Sequence, residues 1–531
     1  MRPALLAAAL TTAVALAGTS VAPAPAQDSR LPDIGSSAGT LISPAEQERY
    51  GAMLLSQLRH YGYTLDDPLL EGWLQQLGAR LAATSDRPGQ SFTFFLLKDR
   101  KINAFATLGG YIGMNAGLVL EARREDEVAA VLAHEIAHVT QLHVLRAVER
   151  AQRDSIPILL AMLGAIAVAQ SAGGSSSGDA TQAAIAVGAG LMQQRQIDYT
   201  RSNESEADRI GIQTLARGGY DPEAMAGFFE RMMTAGRGNS GGYQAPDFLR
   251  THPVTTTRIS EARQRVEQIR RAPRFTPEPV AGSSNPLLPG GMELPRSIAR
   301  DGGGSGRFDL ARERLRVLSA DTAAAAVREY AQIRASAGGL DPAQRYGLAV
   351  AQMRDNANAE AIAALAALLA ERPGDAWIEL TLAEAEARAG RREAADRRFE
   401  SLLARMPRDR AVAITYAAAL AERNDPAAGR RAQDVLRPLQ AAAAADPSFQ
   451  RTFARASEVA GDPVRAGEAW AEVAFLTGRP EQALLQLETL KKRPDVDYYA
   501  RARIDARIAA ITPVVLELRR QGVRDEVLRR G

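Results

Sequence analysis

Residues 126–143 read DEVAAVLAHEIAHVTQLH. Val128, Val131, Leu132, Ile136, Val139 and Leu142 recur mostly at three- and four-residue steps, so a long helix is expected from about Asp126 to Arg153. His134 and His138 stand four residues apart on it, about one turn. Both imidazoles therefore project from one face and can grip one ion. Glu135 sits beside them, placed to take the proton of a water at that ion. With five histidines and 62 acids in 531 positions, the chance count of His-acid-x-x-His is only about 0.005. Coincidence is a poor explanation.

A metal hydrolase needs a third protein ligand and one open position. One known solution places a glycine and then a histidine shortly after His138, but Gln141 and Val144 hold those places. His143 is one residue off and, on a continuous helix, would be turned by about 100° from the required direction, which leaves it a structural or supporting role. The better source lies 66 residues downstream of His138, in Asn203-Glu204-Ser205-Glu206-Ala207-Asp208. Glu204 and Asp208 share a helix face at a four-residue step. Glu204 can ligate while Asp208 hydrogen-bonds a liganding imidazole and fixes its tautomer. Ala207 would let that helix pack closely on the first. The imidazole and carboxylate donors suit one Zn2+ per chain.

Composition narrows the alternatives. The chain has no cysteine, which excludes disulfides, thiol nucleophiles and thiolate or iron–sulfur metal sites. Its 65 basic and 62 acidic residues give a net charge of +3, with the bases scattered among acids, so no nucleic-acid partner is expected. Apolar residues at 46% and charged ones at 24% are ordinary for a folded chain. At the N-terminus, Met1-Arg2, the apolar run Ala4–Ala17 and Ala24-Pro25-Ala26 read as a cleavable signal peptide over 1–26, hence export.

Residues 27–43 read as a linker and 44–270 as one unit. That unit opens with helical periodicity from Pro44 to Ala83, and Ser91–Leu97 is strand-like. Gly109-Gly110-Tyr111-Ile112-Gly113 reads as a turn into a short extended piece. Gly110, Tyr111 and Ile112 read either as an exposed edge strand, on which a substrate adds as a further strand with little dependence on side chains, or as an ordinary interior strand. The apolar stretches Ile156–Ala169 and Ala183–Met192 have 14 and 10 residues, too short to span a bilayer as regular helices. They read as buried or surface-dipping helices, which leaves peripheral membrane contact open. A helix should begin near Ser202 and stop at Gly218-Gly219, and Asp221-Pro222 should open the next.

Six prolines and the Gly302-Gly303-Gly304 run mark 271–307 as a linker. Beyond it, 308–531 is alanine-rich and helical in pattern. Leu382, Ala383, Gly390, Ala395, Phe399 and Pro407 sit at the small, turn and aromatic positions of a tetratricopeptide repeat, and Pro373 precedes Pro407 by that repeat's period of 34. Stacked helical pairs present a concave surface for a protein partner.

His134-Glu135-x-x-His138 followed by Glu204-x-x-Ala207-Asp208 resembles the M48 zinc peptidases. Asn103-Ala104-Phe105, Gly109-Gly110-Tyr111 and His252-Pro253 with Arg258 match as well, so the resemblance spans about 44–270. It implies an α+β, mainly helical, zincin-type metallopeptidase domain with a small sheet, here followed by an all-α TPR-like solenoid. It also implies zinc on His134, His138 and Glu204, with Glu135 as general base. Asp208 is often assigned as proton donor in this family, a role compatible with orienting an imidazole. Two roles are open to His252, stabilising the oxyanion or filling the metal's open position at rest; the resemblance favours the second. Arg258 is expected to hold a carboxylate or the oxyanion nearby. With an export signal and repeats, the resemblance further implies a periplasmic endopeptidase for unfolded or misassembled envelope proteins. The repeats would then dock the outer-membrane beta-barrel assembly machinery. The competing reading is a chaperone or scaffold in which proteolysis is secondary.

Overall fold

The computed structural model describes residues 42–147, 149, 150, 200–238, 248, 252–271, 305–520 and 525. The expected leader, both apolar stretches and most of 271–307 lie outside them. Among the described residues the protein is mainly helical with one three-stranded sheet.

The opening helical stretch is two helices, α1 (Pro44–His60) and α2 (Pro68–Ala83). Ser43 and Glu46 cap α1 reciprocally, and Asp67 Oδ1 accepts the Leu70 amide at 3.0 Å to start α2. Helix α2 buries Leu70, Trp73, Leu74, Leu77 and Leu81 against the sheet and the metal-motif helix. Burial of each such side chain is worth roughly 1.5–3 kcal/mol.

The strands are β1 (Thr93–Leu97), β2 (Ala104–Ala106) and β3 (Tyr111–Asn115), in the order β1-β3-β2. Strand β1 runs parallel to β3, with Thr93 opposite Tyr111; β2 runs antiparallel, with Phe105 opposite Gly113. This overturns the reading of Gly110, Tyr111 and Ile112 as an exposed edge. Strand β3 is central, paired on both sides, and all of Tyr111–Asn115 is buried. Gly110 belongs to the turn before it, at φ 80°, where a Cβ would lie 2.3 Å from the Ser91 carbonyl oxygen.

Helix α3 (Ala116–Glu121) leads into α4 (Glu125–Thr140), which carries the His-x-x-x-His motif and is buried along almost its whole length. Helix α4 stops at Thr140 rather than near Arg153. Leu142 adopts φ 56°, which breaks the helix, and a separate helix begins at His143 and is described to residue 150, residue 148 apart. Helix α5 covers 200–217 and ends at Gly218-Gly219, with Gly219 at φ 80°. It crosses α4 closely, because a Cβ on Gly211 would stand 3.1 Å from the His134 backbone nitrogen. Helix α6 (Glu223–Gly238) follows Asp221, whose Oδ1 accepts the Glu223 amide at 3.0 Å, and α7 (Thr256–Arg271) closes this part.

From Phe308 onwards helices stack in order: α8 (Phe308–Leu318), α9 (Ala323–Ala337), α10 (Pro342–Arg354), α11 (Asn358–Glu371), α12 (Ala376–Arg388), α13 (Arg392–Arg405), α14 (Arg410–Ala421), α15 (Pro426–Leu436), α16 (Pro447–Ala460), α17 (Pro463–Leu476), α18 (Pro480–Lys491) and α19 (Tyr498–Arg520). Asp341, Asp425, Asp446 and Asp462 each cap a helix whose first residue is proline. Within the α12–α13 pair Gly390 turns at φ 76°, Ala383 and Ala395 are buried, and Phe399 stacks on Tyr416 of the next pair at 4.7 Å. The stack is a helical solenoid. One hydrophobic core runs from α2, the sheet and α4 into it, with Trp73 near Phe308 at 6.5 Å. Arg314 reaches back from α8 to Asp67, Nη2 to Oδ2 at 2.7 Å, and both groups are buried.

Candidate metal centre

Helix α4 points His134 and His138 inwards from successive turns, and α5 brings Glu204 opposite them. His252 enters from the segment just before α7. One ligand atom from each of these four residues lies within 4.8 Å of all the others. The His134 and His138 Nε2 atoms are 3.0 Å apart. Glu204 Oε2 is 3.3 Å from His134 Nε2, and Glu204 Oε1 is 3.4 Å from His138 Nε2 and 2.9 Å from His252 Nδ1. His252 Nδ1 is 3.4 Å from His134 Nε2.

This crowding of lone pairs is itself a test of fit. Imidazole nitrogens and a carboxylate that converge in a buried space repel one another unless a positive charge lies between them. Burial, chiefly, drives the His138 pKa down to about 3, so it is a neutral donor. Glu204 is held well below the usual carboxylate range: burial opposes its charge, but His134, His138 and His252 outweigh it. Burial likewise opposes a charge on His134, yet Asp208 and Glu204 raise its pKa to about 10. The acids thus call for a cation at this point. A divalent ion with mixed nitrogen and oxygen ligands meets the demand without a proton.

The surroundings fix the ligands. Asp208 Oδ1 lies 3.0 Å from His134 Nδ1, on the far side of the ring from the convergence point. Arg258, on α7, is buried and grips both acids: Nε and Nη2 reach Asp208 at 2.7 and 2.8 Å, and Nη1 lies 2.9 Å from Glu204 Oε2. Burial opposes ionisation of Asp208, but the Arg258 pairing holds its carboxyl below the ordinary value. Arg258 Nη1 also donates to the Pro253 carbonyl at 2.9 Å, which ties the His252 segment to the acids, and its guanidinium lies over the Phe229 ring at 4.8 Å.

Glu135 is buried, and its Oε1 has no hydrogen-bond partner among the described residues; it lies 3.6 Å from His252 Nε2. A buried carboxylate oxygen left in that state has work to do when a water or substrate arrives. His252 stacks on Phe248 at 4.8 Å, and the Phe248 amide donates to the Ile102 carbonyl at 3.2 Å.

The structure therefore brings His134, Glu135, His138, Glu204, Asp208, His252 and Arg258 together, and leaves Gly110, Tyr111 and Ile112 in or beside the central strand. Sequence reasoning passed over Phe229 and the Glu206–Arg146 pair, 2.9 Å apart, that stands beyond His143. Glu206 sits two residues from Glu204, on another side of the helix, so no shared-face pattern could flag it.

Comparison with known proteins agrees with this geometry. The model of peptidase family M48 matches residues 68–266. A beta-barrel assembly-enhancing protease of Yersinia pestis is 32% identical over 484 residues, covering 91% of this chain and 92% of the relative. The protein of that name from Escherichia coli K12 is 35% identical over 358 residues, 67% of this chain and 66% of the relative. A putative one from Vibrio cholerae is 42% identical over 240 residues, and there the match spans 45% of this chain and about half (48%) of the relative.

Proposed function

Because the chain belongs to the M48 metallopeptidases, among the beta-barrel assembly-enhancing proteases, we propose that it is a zinc endopeptidase held shut by His252. The observation that carries this reading is the convergence of His134, His138, Glu204 and His252 on one buried point, with an unsatisfied Glu135 oxygen beside it. A zinc ion held there supplies Lewis acidity that polarises a scissile carbonyl and acidifies water.

The chain's own residues do the rest. His134, His138 and Glu204 hold the ion, and Asp208 keeps the His134 ring oriented through Nδ1. Glu135 accepts the proton of the attacking water and returns it to the leaving amine. His252, whose Nδ1 lies 2.9 Å from Glu204 Oε1, would close the site at rest and would have to withdraw for substrate to enter.

Substrate strands add at β2 rather than β3. By antiparallel alternation, Ala104 and Ala106 turn their backbone groups away from β3, as Ile102 does. The Phe248 amide already rests on the Ile102 carbonyl, so residues 248 and 252 together mimic an occupant at the strand edge and at the metal. Backbone recognition suits unfolded chains. The relatives are named for enhancing beta-barrel assembly; in our reading the substrates are unfolded or misassembled outer-membrane proteins met in the periplasm, and the helical pairs dock the partners. No described helix is long and apolar enough to cross a membrane.

The test is Glu135→Gln in the full mature chain, assayed on an unfolded protein such as casein. Zinc content should stay unchanged while cleavage is lost. Retained cleavage would remove Glu135 from the chemistry, and full rescue of envelope assembly by the inactive variant would favour the scaffold reading.

A further inference from the structure

The two helix imidazoles are supported differently. Behind His134 stands the Asp208 carboxylate. Behind His138 stands another imidazole: His143 Nδ1 lies 2.9 Å from His138 Nδ1, with the rings 4.8 Å apart and at 80°. His143 is buried, and its Nε2 lies 3.1 Å from Glu206 Oε2, which also receives Arg146 Nη1 at 2.9 Å. The contact depends on the early end of α4. On a continuous helix the fifth residue after His138 would point well round the cylinder. Leu142 at φ 56° folds His143 back onto His138 instead.

We propose that His143 is a positioning residue that sets the tautomer of His138 and thereby the metal affinity, a role that rests on the zinc reading above. A His138 ring that ligates through Nε2 carries its proton on Nδ1 and must donate it. His143 Nδ1 is then the bare acceptor, so the His143 proton sits on Nε2 and goes to Glu206 Oε2. Each donor meets one acceptor, and the series ends on the Arg146 guanidinium. Helix α5 thus addresses both nitrogens of His138: Glu204 Oε1 faces Nε2 at 3.4 Å, and Glu206 acts on Nδ1 through His143. A bare nitrogen at the other end of the relay fixes the ring without adding a negative charge beside it.

The experiment measures zinc affinity of the full mature chain by competition with a fluorescent chelator, together with thermal melting of the metal-free forms. His143→Phe should bind zinc about 10–100-fold more weakly. His143→Asn, whose amide oxygen can accept from His138 Nδ1, should recover most of that loss. Glu206→Ala, at a partly exposed position, should weaken zinc several-fold without moving the metal-free melting point. Equal affinity in His143→Phe and the parent, or equal weakening in the Phe and Asn variants, overturns the inference. Should His143→Phe fail to fold, unchanged affinity in Glu206→Ala overturns it. A parent that holds no zinc overturns the metal reading and this inference together.

Discussion

Arg258 Nε lies 2.7 Å from Asp208 Oδ2 while its Nη1 lies 2.9 Å from Glu204 Oε2, so one buried guanidinium holds the acid that faces the metal and the acid that orients a ligand. The acids converge beside three imidazoles without flying apart because this cation sits behind them. Removing it leaves two buried carboxylates to find other compensation. Arg258→Met should therefore lower both stability and zinc affinity, and Arg258→Lys should restore only part, since an ammonium cannot form the fork. Urea unfolding and chelator competition on the same preparations check this.

Asp208→Asn tests the orienting role separately. It keeps the shape but removes the charge behind His134, and zinc affinity should fall about 10–100-fold. Cleavage at saturating zinc should fall as well. Unchanged affinity with lost cleavage would instead assign Asp208 to proton donation alone.

His252→Ala should raise the basal rate of casein cleavage while leaving close to one zinc per chain, because three ligands remain. Initial rates at matched zinc content give the answer. Unchanged or lower turnover would mean that His252 serves the transition state rather than the resting state.

The Asp67–Arg314 pair joins α2 to α8 across buried surroundings. Either Asp67→Asn or Arg314→Met alone should cost about 3–5 kcal/mol by leaving one charge unpaired. Asp67 also caps α2, but the asparagine amide oxygen can still accept the Leu70 amide, so the Asp67→Asn cost should come from the lost charge and not from the cap. The double variant should cost less than the sum of the singles, as read from urea unfolding.

Local periodicity carries much of this molecule. The i, i+4 pairs His134/His138 and Glu204/Asp208 can be read directly, because one helical turn decides which side chains share a face. The Gly390–Phe399 pattern likewise marks the α12–α13 pair of the solenoid. Strand order is another matter. Tyr111–Asn115 is a continuous buried run, the mark of a central strand, but a short apolar stretch does not say which strands flank it. The end of α4 was also hidden. Apolar spacing continues through Leu142, and neither glycine nor proline announces its left-handed turn. That turn places His143 against His138, a contact between the two that no spacing rule suggests.

The most direct measurement is metal content by mass spectrometry of the purified mature chain, beside its Glu204→Gln variant. The account predicts one zinc per chain in the parent and a substoichiometric, easily chelated amount in the variant. A parent free of zinc, or a variant that retains a full equivalent under chelator, would contradict it.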